Sequence, residues 1–155
     1  MTNPIPPGEE GLIPHIVVGD ANAAIEFYKK AFGAEEICRL PAPDGATIMH
    51  AQIKIGDNMV YLCDDHPEMC GGVSRDPLKL GTSPVTIHQY STDCDSAIAT
   101  AENAGATVTM PPADMFWGDR YGIVTDQLGH RWSFATHVRD MTPEEIADAG
   151  AAAFG

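Results

Sequence analysis

Three of the six histidines sit where strands are expected. His15 lies in LIPHIVVGD, His50 in IMHAQIKIG and His88 in SPVTIHQYSTD. Imidazole ligates transition metals and exchanges protons near neutral pH, so three such rings converging on one place would be chemically active. Residues two apart on a strand share a face. That alternation groups Ile13, His15 and Val17 against the all-apolar set Pro14, Ile16 and Val18. It groups Thr86, His88 and Tyr90, and it sets His50 and Gln52 opposite the core set Ala51, Ile53 and Ile55. His15, His50 and His88, with Gln52 and Tyr90, are therefore expected to line one cavity. Three readings apply to them: a metal site, acid–base or ligand contacts, or hydrogen-bonded residues on a wet sheet face. His66, His130 and His137 fall at turns or strand ends, where the pattern assigns no role.

Two other stretches carry chemistry. PPADMFWGDRYG reads as a loop that clusters Phe116, Trp117 and Tyr121 with a charge pair, Asp119 and Arg120. Such residues either contact a ligand or close the end of a cleft beneath a C-terminal helix. LCDDHPEMC brings Cys63, His66 and Cys70 close in sequence, but there is no second ligand pair of the kind a structural zinc site needs. Asp64–Asp65 and Glu9–Glu10 read as solvated charge. No Walker pattern, GxGxxG or GxSxG occurs, which argues against phosphoryl transfer, hydride transfer and a serine-elbow hydrolase.

The chain has 155 residues and a formal charge of −13, from 22 acidic against 9 basic residues. A surface of that sign repels phosphate backbones, so nucleic acid is not an expected partner. The N-terminal MTNPIPPGEEG shows no secretory pattern, and no apolar run is long enough to span a bilayer. A cytoplasmic location is expected, and with it four free thiols rather than a disulfide framework.

The elements that must position these side chains occur twice. HIVVGDANAAIEFYKKAFGA matches HQYSTDCDSAIATAENAGA, with His15/His88, Asp20/Asp93 and Ile25/Ile98 each 73 positions apart. Gly56/Gly129, Met59/Trp132 and Tyr61/Phe134 carry the same offset. Asp20 caps a helix that runs to about Phe32, where Gly33 ends it, and Asp93 and Gly105 bound the second copy. Three strand signals follow each helix. The order is βαβββ twice, over about residues 12–64 and 84–137, in a single domain of 1–155. This is an α+β fold of curved mixed sheets around an open cleft. DMTPEEIADAGAAAF then starts a C-terminal helix over about 142–153, with Thr142 as cap, Pro143 in the first turn and Glu145 closing a capping box.

Duplicated βαβββ modules, the AIEFYKKAFGAE helix, MFWGDRYGIVTD and DQLGHRWSFATHV resemble the vicinal oxygen chelate superfamily over about residues 12–145. That group includes glyoxalase I, bleomycin-resistance proteins and extradiol dioxygenases, and the resemblance is to its PhnB-like branch. It implies a cleft built by eight strands, and in the metal enzymes one ligand on the first and last strand of each module. Carried over by position, those ligands fall at Ile13, Val60, Thr86 and Ser133. None is a good metal ligand. The resemblance thus implies a protein that binds a small molecule in the cleft without a cofactor, and the alternation and the aromatic loop give His15, His50, Gln52, His88, Tyr90, Phe116, Trp117 and Tyr121 as its expected contacts. It leaves open a divalent-metal lyase or dioxygenase using relocated histidines. A third reading is a protein–protein role through the acidic surface and the C-terminal helix. A homodimer is expected from the resemblance alone.

Overall fold

Asp20 and Asp93 do what the sequence requires of them. In the computed structural model, which describes residues 2–155, the Asp20 carboxylate accepts from Ala23 N–H at 2.9 Å and that of Asp93 accepts from Ser96 N–H at 2.9 Å. Each satisfies one of the donors a helix start leaves unpaired. The helices they open are α1, Ala21–Phe32, and α3, Cys94–Ala104. Each ends on a left-handed glycine, Gly33 or Gly105. In α1, Ala24, Phe27, Tyr28 and Ala31 are buried, as their spacing predicts.

The chain divides into two compact units. The first holds residues up to Ser83 together with Gln127–Gly129, and the second holds Pro84–Asp126 and His130–Gly155. In the first unit, strands β1 (His15–Val18), β2 (Glu35–Pro41), β3 (Ile48–Ile55) and β4 (Asn58–Asp64) form one sheet in the order β1-β4-β3-β2. In the second, β5 (Thr86–Tyr90), β6 (Thr107–Asp114), β7 (Asp119–Thr125) and β8 (Arg131–His137) form another in the order β5-β8-β7-β6. The first strand pairs parallel with the last in each sheet, and the other pairs are antiparallel. The α+β architecture and the twofold βαβββ order stand as the sequence predicts.

The repeat needs one correction. Ile53 pairs with Val60 in the first sheet, and the corresponding pair in the second is Val124 with Trp132. His15 pairs with Tyr61, and His88 with Ser133. Val60 therefore corresponds to Trp132 and Tyr61 to Ser133, where the glycine-anchored match gave Met59/Trp132, Tyr61/Phe134 and Val60/Ser133. The cause lies in the hairpins. Ile55 pairs directly with Asn58 across a two-residue turn, while Asp126 N–H bonds to His130 across a loop one residue longer. Because strand side chains alternate faces, a one-residue slip inverts the assignment. Val60 is a core residue, and Tyr61 occupies the open-face position opposite His15.

Two further differences concern local chemistry. PPADMFWGDRYG is largely strand: β6 continues through Pro111 and Pro112 to Asp114, and only Met115–Gly118 remain outside strands. An edge strand tolerates prolines because one side of it needs no ladder donor, and the β6–β7 register shifts across that segment. Between the units' sheets the chain forms a 3-10 turn, Pro67–Met69, and a short helix α2, Pro77–Leu80, neither of which the periodicity signals. The C-terminal helix α4, Pro143–Phe154, starts with the expected capping box of Thr142 and Glu145. No helix among the described residues is long and apolar enough to cross a membrane.

Candidate functional site

In the first unit, Ile16 and Val18 pack into the core, which leaves His15 and Val17 on the opposite face of β1. Ala51, Ile53 and Ile55 do the same on β3 and leave His50 and Gln52 on that open face. His15, His50 and Tyr61 form an edge-to-face triangle, with ring centroids 5.8, 5.8 and 4.8 Å apart. Gln52 Nε2 lies 3.3 Å from His50 Nε2. Partial burial lowers the His15 pKa and the neighbouring His50 lowers it further, so His15 is a neutral ring at neutral pH. The neighbouring Glu9 carboxylate raises the Tyr61 phenol's pKa.

Next to this triangle lies a cavity of about 370 Å³. His15 and Val17 of β1, Met49 of β3 and Cys63 of β4 form its floor, and His66, Met69, Cys70 and Arg75 close it from the following loop. Asp64 and Asp65 belong to its wall, and both correct the expectation of solvated charge. Asp64 is 5 % exposed, and its two oxygens accept from Ala21 N–H at 2.7 Å and Ile48 N–H at 2.6 Å. Burial pushes the Asp65 carboxyl up, but donation from Ser74, Arg75 N–H and Lys79 outweighs it and holds the pKa at about 2. Two buried, fully engaged carboxylates thus fasten the loop and the helix start to β4. Burial, with the nearby Asp64 and Cys70, raises the Cys63 pKa, so the thiol stays protonated.

The second unit builds a different cluster. Ser133, 1 % exposed on β8, shares a hydrogen bond of 2.8 Å with His88 Nδ1. The His88 ring packs edge-on to Tyr90 at 5.1 Å and stacks on Tyr121 at 5.9 Å. Beside it, Asp119 is 5 % exposed and is not paired with Arg120, contrary to the sequence reading. Its carboxylate accepts from the Tyr90 hydroxyl at 2.9 Å, Trp117 Nε1 at 3.1 Å and His137 Nδ1 at 2.8 Å. Arg120 instead donates to Asp95 and Asp114. Phe116 packs edge-on against Trp117 at 5.0 Å and against Phe154 of α4 at 5.6 Å, so it joins the cluster to the C-terminal helix.

His137 has a role the sequence did not suggest. Both its ring nitrogens face carboxylates, Asp119 and Asp140, at 2.8 and 2.9 Å. Hydrogen bonds to Asp140 and Asp119 raise its pKa above 6.5. Burial alone would raise the Asp119 pKa, but its donors outweigh that and lower it. The signs follow. His137 stabilises the fold fully below about 6.5, and that contribution fades as pH rises through its folded pKa. Asp119 stabilises above the ordinary carboxylate range and loses its contribution as pH falls through its depressed value. A proton NMR titration of His137 is expected to show a midpoint above 6.5 that Asp140→Asn lowers. A midpoint at or below 6.5 would mean that the carboxylates do not hold the imidazolium.

Of the eight predicted ligand contacts, only His15 lines the cavity. The structure brings His50 and Gln52 beside it, and places His88, Tyr90, Trp117 and Tyr121 together in the second unit. The positions that the resemblance reserves for metal do not fit one. Ile13 and Val60 offer no donor atom, Val60 is in the core, Tyr61, which the ladder makes the counterpart of Ser133, is a phenol packed against His15 and His50, and Ser133 is engaged by His88. Among the described residues, no three His, Cys, Asp or Glu side chains are grouped to hold an ion. Sequence reasoning missed Tyr61, Arg75 and His137; it singled out Asp119 but gave it Arg120 as partner instead of Tyr90, Trp117 and His137. The segment LCDDHPEMC was visible, and the structure makes it a cavity wall.

The family model described as Glyoxalase/Bleomycin resistance protein/Dioxygenase superfamily matches residues 12–134. An uncharacterized protein of Mycobacterium bovis is 51% identical over 141 residues, covering 91% of this chain and 92% of that one. The crystal structure of an Arabidopsis thaliana gene product is similar at 26% identity and a TM-score of 0.64, covering 81% of this chain and 97% of its own. The PhnB protein of Bacillus cereus shares the fold at 14% identity and a TM-score of 0.61, covering 82% of this chain and 99% of its own.

Proposed function

We propose, from the premise that the chain belongs to the Glyoxalase/Bleomycin resistance protein/Dioxygenase superfamily, that it binds a small organic molecule without the metal site of the superfamily's enzymes. The cavity of about 370 Å³ on the open face of the first sheet carries this reading. Its size falls within the roughly 300–1,000 Å³ of small-molecule sites, and it combines apolar walls with a few polar groups as such sites do. The donor chemistry of Ile13, Thr86 and Ser133, with Tyr61 in place of Val60 by the corrected register, supports the metal-free half.

The test is elemental analysis of purified protein after equilibration with zinc, nickel, manganese or iron and exhaustive dialysis. Less than about a tenth of an ion per chain is expected, because coordination requires several converging donors. One ion per chain, lost in His15→Ala or His88→Ala, would establish the alternative of a metal-dependent lyase or dioxygenase with relocated ligands.

A further inference from the structure

Arg75 is the cation that lines the first unit's cavity; the exposed Lys30 also has no side-chain partner among the described residues, but it is not part of that wall. Lys29 and Arg39 are paired with Glu36, and Lys79 with Asp65. Arg75 lines the cavity, yet its guanidinium has no hydrogen bond or ion pair among the described residues; only its backbone N–H is used, by Asp65. The nearby carboxylates do not need it. Both Asp64 oxygens accept backbone N–H groups, and the Asp65 oxygens are taken by Arg75 N–H, Ser74 and Lys79. In a chain with 22 acidic residues and 9 basic ones, an uncommitted guanidinium at a cavity leaves up to five donors in a fork that fits a carboxylate.

A second polar group there is also unmatched. His66 Nδ1 donates to Glu68 at 3.2 Å, and its Nε2 is shielded from solvent without a partner among the described residues. A buried polar atom left unpaired is rare in native structures and calls for an explanation. The rest of the wall includes the apolar Val17, Met49 and Met69 beside His15, Cys63 and Cys70. Thioethers adapt to irregular shapes, which suits a small hydrophobic body.

We infer that the cavity selects a small organic carboxylate, its anionic group on the Arg75 guanidinium and its apolar body against Val17, Met49 and Met69. The inference rests on the proposed small-molecule function and names the ligand class of that site. Asp64 and Asp65 carry negative charge in the same wall, but their oxygens are engaged by Ala21 N–H, Ile48 N–H, Ser74, Arg75 N–H and Lys79, so neither occupies the Arg75 guanidinium. The acidic surface sets a general repulsion that an anion must overcome, so selectivity depends on the direct contact with Arg75.

The experiment uses full-length protein with 13C-labelled methionine methyls, reading Met49 and Met69. Matched probes are titrated: propanoate against propanamide, benzoate against benzamide, phenylacetate against phenylacetamide. Each pair keeps the apolar body and changes only the charge. In at least one pair the carboxylate is expected to bind tenfold or more tightly than its amide. Arg75→Gln removes that preference and leaves amide binding within about twofold, while the control Arg131→Gln keeps it. Arg75 is exposed, so the variant is expected to fold, and an unchanged methyl spectrum without probe verifies this. Equal binding of acid and amide in the unmodified protein, or a preference that survives Arg75→Gln, overturns the carboxylate inference and leaves small-molecule binding standing. Failure of every probe to shift either methyl overturns both.

Discussion

Asp64→Ala is expected to remove roughly 3–5 kcal/mol of unfolding free energy, because it leaves two buried backbone donors unpaired at about 1–3 kcal/mol each. Those donors are Ala21 N–H, in the first turn of α1, and Ile48 N–H, at the start of β3. The carboxylate thus joins β4 to the helix start and to its neighbouring strand, and its negative charge suits the N-terminal end of the helix dipole. In a chain of this size the loss corresponds to a fall in melting temperature of about 10 °C or more. Asp64→Asn keeps an acceptor for one donor only, so it is expected to lie between Ala and the native residue. Glu10→Ala, at an exposed carboxylate that accepts from Gly8 N–H, is expected to change stability by less than about 0.5 kcal/mol. Urea unfolding followed by far-UV circular dichroism measures all three. If Asp64→Ala costs less than about 1 kcal/mol, the carboxylate is not the fastening that its geometry indicates. Asp64 also belongs to the cavity wall, so the same change is expected to weaken ligand binding beyond its effect on folding.

Gly118→Ala is the second severe substitution, on the order of 3–5 kcal/mol, from a strained backbone conformation and a displaced neighbouring segment together. Gly118 has φ +99, which L side chains rarely adopt. An added Cβ would fall inside the van der Waals envelope of the Arg139 carbonyl oxygen, a backbone atom that cannot swing aside. Gly118 is further fixed by its own N–H to Met115 and by its carbonyl, which accepts from Val138 and Arg139 N–H. The residues on either side are Trp117 and Asp119, joined by the 3.1 Å hydrogen bond that starts the second unit's polar cluster. Shifting the turn should therefore lower both the melting temperature and the His137 titration midpoint, since Asp119 would no longer face that ring. Gly45→Ala provides the comparison. Its φ of +71 is strained too, but nothing lies within 4 Å of the added carbon, so about 1 kcal/mol is expected. Equal costs for the two variants would show that the approach to Arg139 is not what makes Gly118 necessary.

Much of this molecule is legible in its sequence, for a specific reason. Asp20, Gly33, Asp93, Gly105, Thr142 and Glu145 act within a few residues of themselves, so helix bounds can be read locally. Alternation is also local, and it correctly set Ile16, Val18, Ala51, Ile53 and Ile55 into the core. The repeat followed from matching these local signals over a long separation. What failed was register. Gly56 and Gly129 look equivalent, but one hairpin has an extra residue, and nothing short of the ladder pairing shows that Tyr61, not Val60, shares the open face with His15.

The partners of the charged and polar side chains are the other part that sequence did not decide. Asp64–Asp65 reads as solvated charge because adjacent carboxylates usually are. Both are buried because donors from Ala21, Ile48, Ser74 and Lys79 meet them across the fold. Asp119 beside Arg120 reads as a pair, but neighbours on a strand point to opposite faces, so each finds its partner on its own side. Capping, alternation and duplication are properties of short stretches, and the sequence by itself determined them: the βαβββ modules, their helices and their core. Pairing across a sheet depends on where distant segments meet, and only the tertiary structure decided it. That pairing set Ser133 beside His88 in the second unit, and in the first it left Arg75 at the cavity with no side-chain counter-ion among the described residues.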